Sequence, residues 1–404
     1  MKKTIAAIIA VSLSVAIVGC GRDYKEKTVR AEELTSALQV NVEGKEVTDG
    51  FKNAYYGFTS ELFKRVNGEE NVFISPLSAA TCLSMAFNGA DGETLSEFES
   101  AMGLPLSDLN GAFKTILSDG NNSVKYANSI WLNAVMPQPK REFLNAAKGY
   151  YGAEVYRSTF DAALVSDINN WVSNKTQGMI DKIIDKTSPD YYSYLLNVLY
   201  FEAEWAEKYE NKDIKPWTFR NKNGEDKAVT MLSSTEHEYF SYNGGDGFLK
   251  RYKGDYAFMA ILPEEGTDID EFISGIDGEK LLGAISDVKH VTVKAKIPEF
   301  KSDFSIDLCD ALKDMGIISA FSPNKADFSK MSDGVYIDFV LQKTKIELDR
   351  KGTKAAAVTG IGEMATSVGP GNTVEIVLDR PFVYAIISLK DDLPLFIGSL
   401  KNIG

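Results

Sequence analysis

The sequence predicts one large α+β domain built around extensive sheets. Three observations carry that reading. Apolar residues at helical spacing cluster in the first half of the chain, whereas strand patterns dominate the second half. There is no regular βαβ rhythm and no internal repeat, and no low-complexity linker divides the chain between about residue 50 and residue 404. With 404 residues, 44% apolar and 25% charged, the chain has the composition of an ordinary globular protein with a sizeable core.

The first segment is not fold. Lys2 and Lys3 precede an apolar run, Ile5 to Val18, that is short for a membrane span, and "IVGC" follows. Residues 1–19 therefore read as a signal peptide. The small residues before Cys20 resemble the bacterial lipobox, which implies a lipid anchor on Cys20 and a place in the cell envelope, with Gly21 compatible with the outer membrane. The competing reading is an ordinary cleaved signal with an incidental cysteine. The polar stretch over residues 20–50 reads as a flexible tether leading to a domain over 51–404. The net charge is −13, or −15 once Lys2 and Lys3 are removed, 42 basic against 57 acidic residues, and that field argues against nucleic acid as a partner.

Within the domain, "NVFISPLSAATCLSMAFNGADGET" opens with a strand over Asn71–Ile74. Ser75 caps the following helix, Pro76 takes its first position and Gly89 ends it; the helix is apolar or small all round and so should be buried. In "DINNWVSNKTQGMIDKII", Ile168, Trp171 and Val172 fall at helical spacing, with Gly178 as the stop. "YLLNVLYFEAEW" and "YAFMAILP" suit strands covered on both faces, whereas "VTVKAKIPEF" alternates and should keep one face wet. Cys82 and Cys309 sit inside apolar helical patterns and read as buried packing residues.

Enzyme chemistry finds little support. His237 and His290 stand near no nucleophile elbow, zinc motif or paired cysteine, so no catalytic residue, metal or cofactor is indicated. Gly360-x-Gly362-x-x-Ala365, with Asp379 beyond, has a dinucleotide-type spacing. Its lead-in "GTKAAAVT" lacks a strand core, and Gly369, Pro370 and Gly371 cannot propagate the helix that would hold a pyrophosphate.

One stretch fits neither helix nor linker. "KGTKAAAVTGIGEMATSVGPGN", Lys351 to Asn372, joins "YIDFVLQKTKIELD" to "TVEIVLDRPFVYAIIS", two segments that read plainly as strands. Connections this long are uncommon unless functional or disordered. Taken with "NVFISPLS" at Asn71–Ser78, "INNWVSNKTQGMI" at Ile168–Ile180, "LLNVLYFEAEW" at Leu195–Trp205, "MGIISAFSPNKADFSKMS" at Met315–Ser332, "DRPFVYAI" at Asp379–Ile386 and "LPLFIGSL" at Leu393–Leu400, it resembles the serpin family from about Asn53 to Gly404.

That resemblance implies a fold of three β-sheets and about nine helices, acting as a protease trap. The connector, residues 350–374, becomes a bait loop that a target protease cuts. The loop then inserts into the central sheet while the protease is still held as an acyl-enzyme. The resemblance assigns the hinge to Gly352, Thr353, Ala355, Ala356 and Ala357. It places Ser75, Ser78, Asn197, Trp205 and Gln342 where the sheet must open. Gln342 stands where a histidine commonly bonds the asparagine matched by Asn197, and an amide is able to substitute in that bond.

The residues support this independently. A segment that must join a central strand needs one face free of bulk and charge. Thr353, Ala355, Ala357, Thr359 and Ile361 provide that face, with Lys354, Ala356 and Val358 on the other, and Pro370 lies beyond the inserting part. The family's spacing from the hinge glycine Gly352 implies a cleaved bond at Thr366–Ser367, with Met364 and Ala365 beside it. Counting back from Pro381 points instead near Pro370. The small and apolar residues there favour elastase-like or subtilisin-like serine proteases, with papain-like cysteine proteases a further class. Arg350 and Lys354 stand where the family is usually acidic, Glu202 and Ala203 interrupt its usual Lys-Gly, and Glu363 brings a carboxylate to the inward face. The protein would act as a monomer on target proteases, tied to the membrane only through its N-terminal lipid. The alternative is a non-inhibitory serpin serving as a binding or structural envelope protein.

Overall fold

A computed structural model describes the protein over residues 24–118, 123–353 and 373–404. Nine α-helices lie among the described residues, with two hydrogen-bonded sheets. The central sheet runs in the order Glu32–Glu33, Glu154–Ser158, Val124–Asn133, Ser193–Phe201, Phe339–Asp349, with Phe300–Asp307 antiparallel to the last of these. The other sheet carries Thr373–Val377, Lys289–Pro298, Asp226–Tyr242, Gly245–Arg251, Tyr256–Pro263, Phe382–Ser388, Leu393–Leu400 and Val72–Ile74, with Ile214–Arg220 alongside. Where three sheets were expected, the second and third run together, because Asp226–Tyr242 is 17 residues long and pairs with Lys289–Pro298 over its middle and Gly245–Arg251 at its end.

The helix Pro76–Phe87 lies under the central sheet with every residue buried. Ser75 caps it, its Oγ accepting from the Ser78 N–H at 3.1 Å. On the opposite face sits the helix Ala162–Lys175, which buries Leu164, Ile168, Trp171 and Val172. Gln177 and Gly178, both with positive φ, turn the chain away after it. Ser193–Phe201 is therefore covered on both sides: Leu195, Leu199 and Phe201 belong to the main core, and Tyr194, Leu196 and Val198 to the cluster under Ala162–Lys175. Each such buried aliphatic or aromatic side chain contributes about 1.5–3 kcal/mol. Cys82 and Cys309 are buried and unpaired, and burial pushes the Cys82 thiol up to about 12.

The flexible tether expected over residues 20–50 is corrected for its described part. Residues 24–47 lie against the domain. Glu32–Glu33 adds an edge strand to Tyr156–Arg157, and Thr35 is fully buried. The polar composition that suggested a solvated tether serves side-chain and main-chain hydrogen bonds to the surface beneath. The leader and Cys20 lie outside the described residues.

Candidate functional site

The central sheet is closed at one end only. Phe339, Val340, Leu341 and Gln342 pair in parallel with Tyr194, Leu195, Leu196 and Asn197. Above that point the two strands part. No β-pairing joins Val198–Phe201 to Lys343–Ile346 among the described residues, although each strand is fully paired on its outer side. Two central strands thus leave a slot between their facing edges, a costly arrangement for backbone groups that elsewhere in a sheet are paired.

The upper end of the slot is already filled. After a tight turn at Arg350–Lys351, Gly352–Thr353 forms a two-residue strand, with Leu348 opposite Thr353 and Asp349 opposite Gly352. Its other edge pairs antiparallel with Ala203–Glu204, the continuation of Ser193–Phe201. Gly352 is required here: its φ is +155°, and a Cβ would lie 2.1 Å from the Ala203 carbonyl oxygen. Asp349 Oδ1 steadies the turn by accepting from the Lys351 N–H at 2.6 Å. Arg350 sits beside Glu299, which accepts its N–H at 3.2 Å.

An aromatic wall backs this end. Trp205 is buried and stacks on Tyr252 with centroids 4.3 Å apart. Its Nε1 donates to the Asp349 carbonyl at 2.9 Å, and its backbone N–H donates to the Lys351 carbonyl at 2.9 Å. The Tyr252 hydroxyl lies 2.6 Å from Thr353 Oγ1, and both residues are buried. Burial drives the Tyr252 phenol far above its ordinary pKa, so it stays a neutral hydrogen-bonding group. Lys250, also buried, pairs with Glu236 at 2.9 Å and stands over the rings of Trp205 and Tyr209.

At the closed end the expected residues meet, with one correction. Gln342 does not bond Asn197. Its Oε1 accepts from the Ser75 N–H at 2.9 Å and its Nε2 donates to the Ser75 carbonyl at 2.8 Å. The longer amide satisfies both main-chain groups of Ser75, whose own Oγ donates to the Leu395 carbonyl at 2.7 Å. Asn197 turns instead to Asn128 and to Thr81 Oγ1, leaving its Oδ1 buried without a partner, as is Ser78 Oγ. The slot's strand walls keep period two: Val340, Gln342, Thr344, Ile346 and Leu348 point inward.

Of the sequence-derived positions, the structure brings together Gly352, Thr353 and Trp205 at the open end, and Ser75, Ser78, Asn197 and Gln342 at the closed end. Ala355, Ala356, Ala357, Met364, Ala365, Thr366 and Ser367 lie outside the described residues. Sequence reading missed Tyr252 and Lys250. The inward phase Phe248, Lys250, Tyr252 in "FLKRY" was the available signal, since a lysine between two core aromatics needs a buried partner.

Comparison with known proteins bears on this geometry. The family model described as Serpin (serine protease inhibitor) matches residues 53–403. Iripin-8 of Ixodes ricinus is 30% identical over 374 residues, covering 86% of this chain and 92% of its own. Intracellular coagulation inhibitor 2 of Tachypleus tridentatus is 29% identical, with 94% of each chain covered. The crystal structure of tengpin, a thermophilic serpin, in its native state is 38% identical with a TM-score of 0.87, covering 93% of this chain and 100% of tengpin. Tengpin in its latent state gives a TM-score of 0.79, at 36% identity and over 89% of this chain, so the conformation described above is nearer the native one.

Proposed function

The chain belongs to the serpin family, and from that premise we propose that it inhibits proteases as a suicide substrate, trapping them when its bait loop enters the slot. The observation that carries this reading is the half-open sheet with Gly352–Thr353 already seated in its upper end.

Counting on from Thr353 along both ladders sets residue 359 opposite Gln342 on one side and Asn197 on the other. Those two residues are rung partners where the sheet is closed, so the two counts agree. In that register Thr353, Ala355, Ala357, Thr359 and Ile361 would follow the inward phase of Leu348, Ile346, Thr344, Gln342 and Val340. All are small enough, or apolar enough, to be buried there. The Thr359 hydroxyl would arrive beside the orphaned Asn197 Oδ1.

The bond-making chemistry belongs to the partner. A protease serine attacks the Thr366 carbonyl, the amine of Ser367 leaves, and Thr366 remains esterified to the enzyme. Insertion that outpaces hydrolysis of that ester carries the protease with it. Met364, Ala365 and Thr366 suit elastase-like and subtilisin-like pockets. Lipid attachment at Cys20, with the domain held at the outer membrane, is the location that fits the N-terminal sequence. A non-inhibitory binding role is the reading opposed by the uncharged inward phase of the hinge.

Mixing the full-length protein with elastase tests the reading. An SDS-stable complex, with the released peptide starting at Ser367, is expected. Quantitative cleavage with no complex would overturn it.

A further inference from the structure

We propose that the wet face shared by the strands Ile214–Arg220, Asp226–Tyr242 and Lys289–Pro298 is a second contact for the target protease. Lys215, Trp217, Lys294 and Lys296 carry it, and it selects proteases with acidic residues beside their active-site cleft. The inference rests on the trap reading above and names the kind of partner that trap prefers.

The alternation in "VTVKAKIPEF" turns one side of Lys289–Pro298 toward solvent. Val293, Ala295 and Ile297 are buried, whereas Lys294 is exposed and Lys296 half-buried. Rung partners share a face, and Lys294 lies opposite Thr235 and Lys296 opposite Ser233. Further back along Asp226–Tyr242, on the same phase, Met231 and Val229 pair with Lys215 and Trp217. Period two thus puts all four side chains on one face. The contact between Lys296 and Trp217 agrees, with Nζ standing 4.7 Å from the ring centroid.

This face is out of character for the chain. The protein carries a net charge of −13, yet Lys215, Lys294 and Lys296 meet only one carboxylate here. That carboxylate, Glu375, pairs with Lys296 at 2.8 Å and lies on the rung of Lys294. Lys215 and Lys294 form no ion pair among the described residues. Trp217 is 38% exposed, and a lysine is drawn across its ring. A large ring already held in place offers apolar contact with little rotamer freedom left to lose, and flanking cations favour carboxylates around it. Ile214–Arg220 is an edge strand, but Pro216 within it discourages a further strand from adding, so the face rather than the edge is what a partner can use.

Its position decides the partner. The connector leaves the fold at Thr353 and returns at Thr373, and this face lies against both ends. Thr373–Val377 pairs in parallel with residues 292–296, so the returning chain runs beside Lys294 and Lys296. At the other end, a cleft of about 580 Å³ opens between residues 207–213 and the side chains of Lys215, Ser233, Thr235, Lys294 and Lys296. The wall formed by residues 207–213 is bonded to the turn before the hinge, the Tyr209 N–H donating to the Arg350 carbonyl at 3.3 Å. A protease engaged on the connector therefore meets this face. An acidic side chain on its rim would reach Lys215 and Lys294 without displacing an existing ion pair. The rest of this acidic chain repels such proteases, so a local attraction at the landing point acts mainly on the rate of association.

The test measures how fast full-length variants capture elastase whose lysines have been succinylated, which turns each cation into a carboxylate. The double variant Lys215→Gln, Lys294→Gln removes the two unpaired charges. A second, Lys140→Gln, Lys182→Gln, makes the same change in net charge on loops bonded to neither end of the connector. All four lysines are exposed, so neither variant opens the core. At about 0.01 M salt the first is expected to capture the enzyme at least about fivefold more slowly than the second, and the gap should close at about 1 M. Trp217→Ala should slow capture at both salts, because apolar contact is not screened. Equal rates for the two double variants at low salt, or a gap undiminished at high salt, would contradict the charged contact. A Trp217→Ala protein as fast as the parent would remove the anchor. Should the parent form no complex with any protease, the trap reading falls instead, and the rate at which the same enzyme cuts the connector still decides whether this face recruits it.

Discussion

The hydroxyls of Tyr252 and Thr353 meet at 2.6 Å inside the protein, so the residue that would lead the proposed bait loop inward is anchored in the central sheet of the uncut chain. Gly352 makes that approach possible, and Trp205, stacked on Tyr252, binds the turn that delivers it. Tyr252→Phe should leave Thr353 Oγ1 buried without this partner and cost about 1–3 kcal/mol. Urea unfolding of the intact protein measures it, and an unchanged midpoint would show that the contact does not hold the hinge.

Thr353→Arg tests the same position from the side of charge. The guanidinium would have to enter a buried site lined by Tyr252 and Leu348, where it has no counter-ion. Stranding such a charge is strongly unfavourable. The variant should fold with its hinge expelled, be cleaved by elastase as readily as the parent, and form little or no SDS-stable complex.

At the closed end, Gln342→Ala removes the acceptor of the Ser75 N–H, whereas the Ser75 carbonyl keeps its bond from the Ala79 N–H at 3.1 Å. One buried donor left unpaired should lower stability by roughly 1–3 kcal/mol. Asn197→Ala, which touches neither Ser75 group, should cost less. Equal losses in denaturant titrations would mean that Gln342 and Asn197 act as one unit after all.

A pH dependence follows from Asp338. Burial raises its carboxyl above the ordinary value, although the Tyr192 and Ser193 N–H groups donate to it. In the proposed register Glu363 arrives beside Asp338, so full insertion would raise both carboxyls further. An acid with a higher pKa in the inserted state binds more protons there, and insertion is favoured as pH falls. The share of encounters ending in a stable complex should rise from pH 7 toward pH 5, and Glu363→Gln should raise it at pH 7 and flatten the dependence. A flat profile in the parent would remove Glu363 from the inserted segment.

Much of this was legible in the residues. The Ser75–Pro76 helix start, the two-faced burial of "YLLNVLYF" and the buried position of Thr353 follow from local chemistry that tertiary contacts did not override. What was hidden depends on partners distant in sequence. Tyr252 and Thr353 are 101 residues apart, and Lys27 and Asn174 are 147 apart. Residues 24–47 read as part of a tether because their polar side chains look solvated when the surface that receives them is not in view. Gln342 was assigned to Asn197 by analogy with a histidine; an amide carries a donor and an acceptor on one short arm, and the two main-chain groups of Ser75 match that pair better.

The account as a whole depends on the uncut fold storing free energy that the slot can release. Melting intact protein beside protein nicked at Thr366–Ser367 measures this directly. The nicked form should melt at a clearly higher temperature, because the freed segment completes the central sheet. If it melts at or below the temperature of the intact protein, the slot is not a site of insertion and the trap mechanism falls with it.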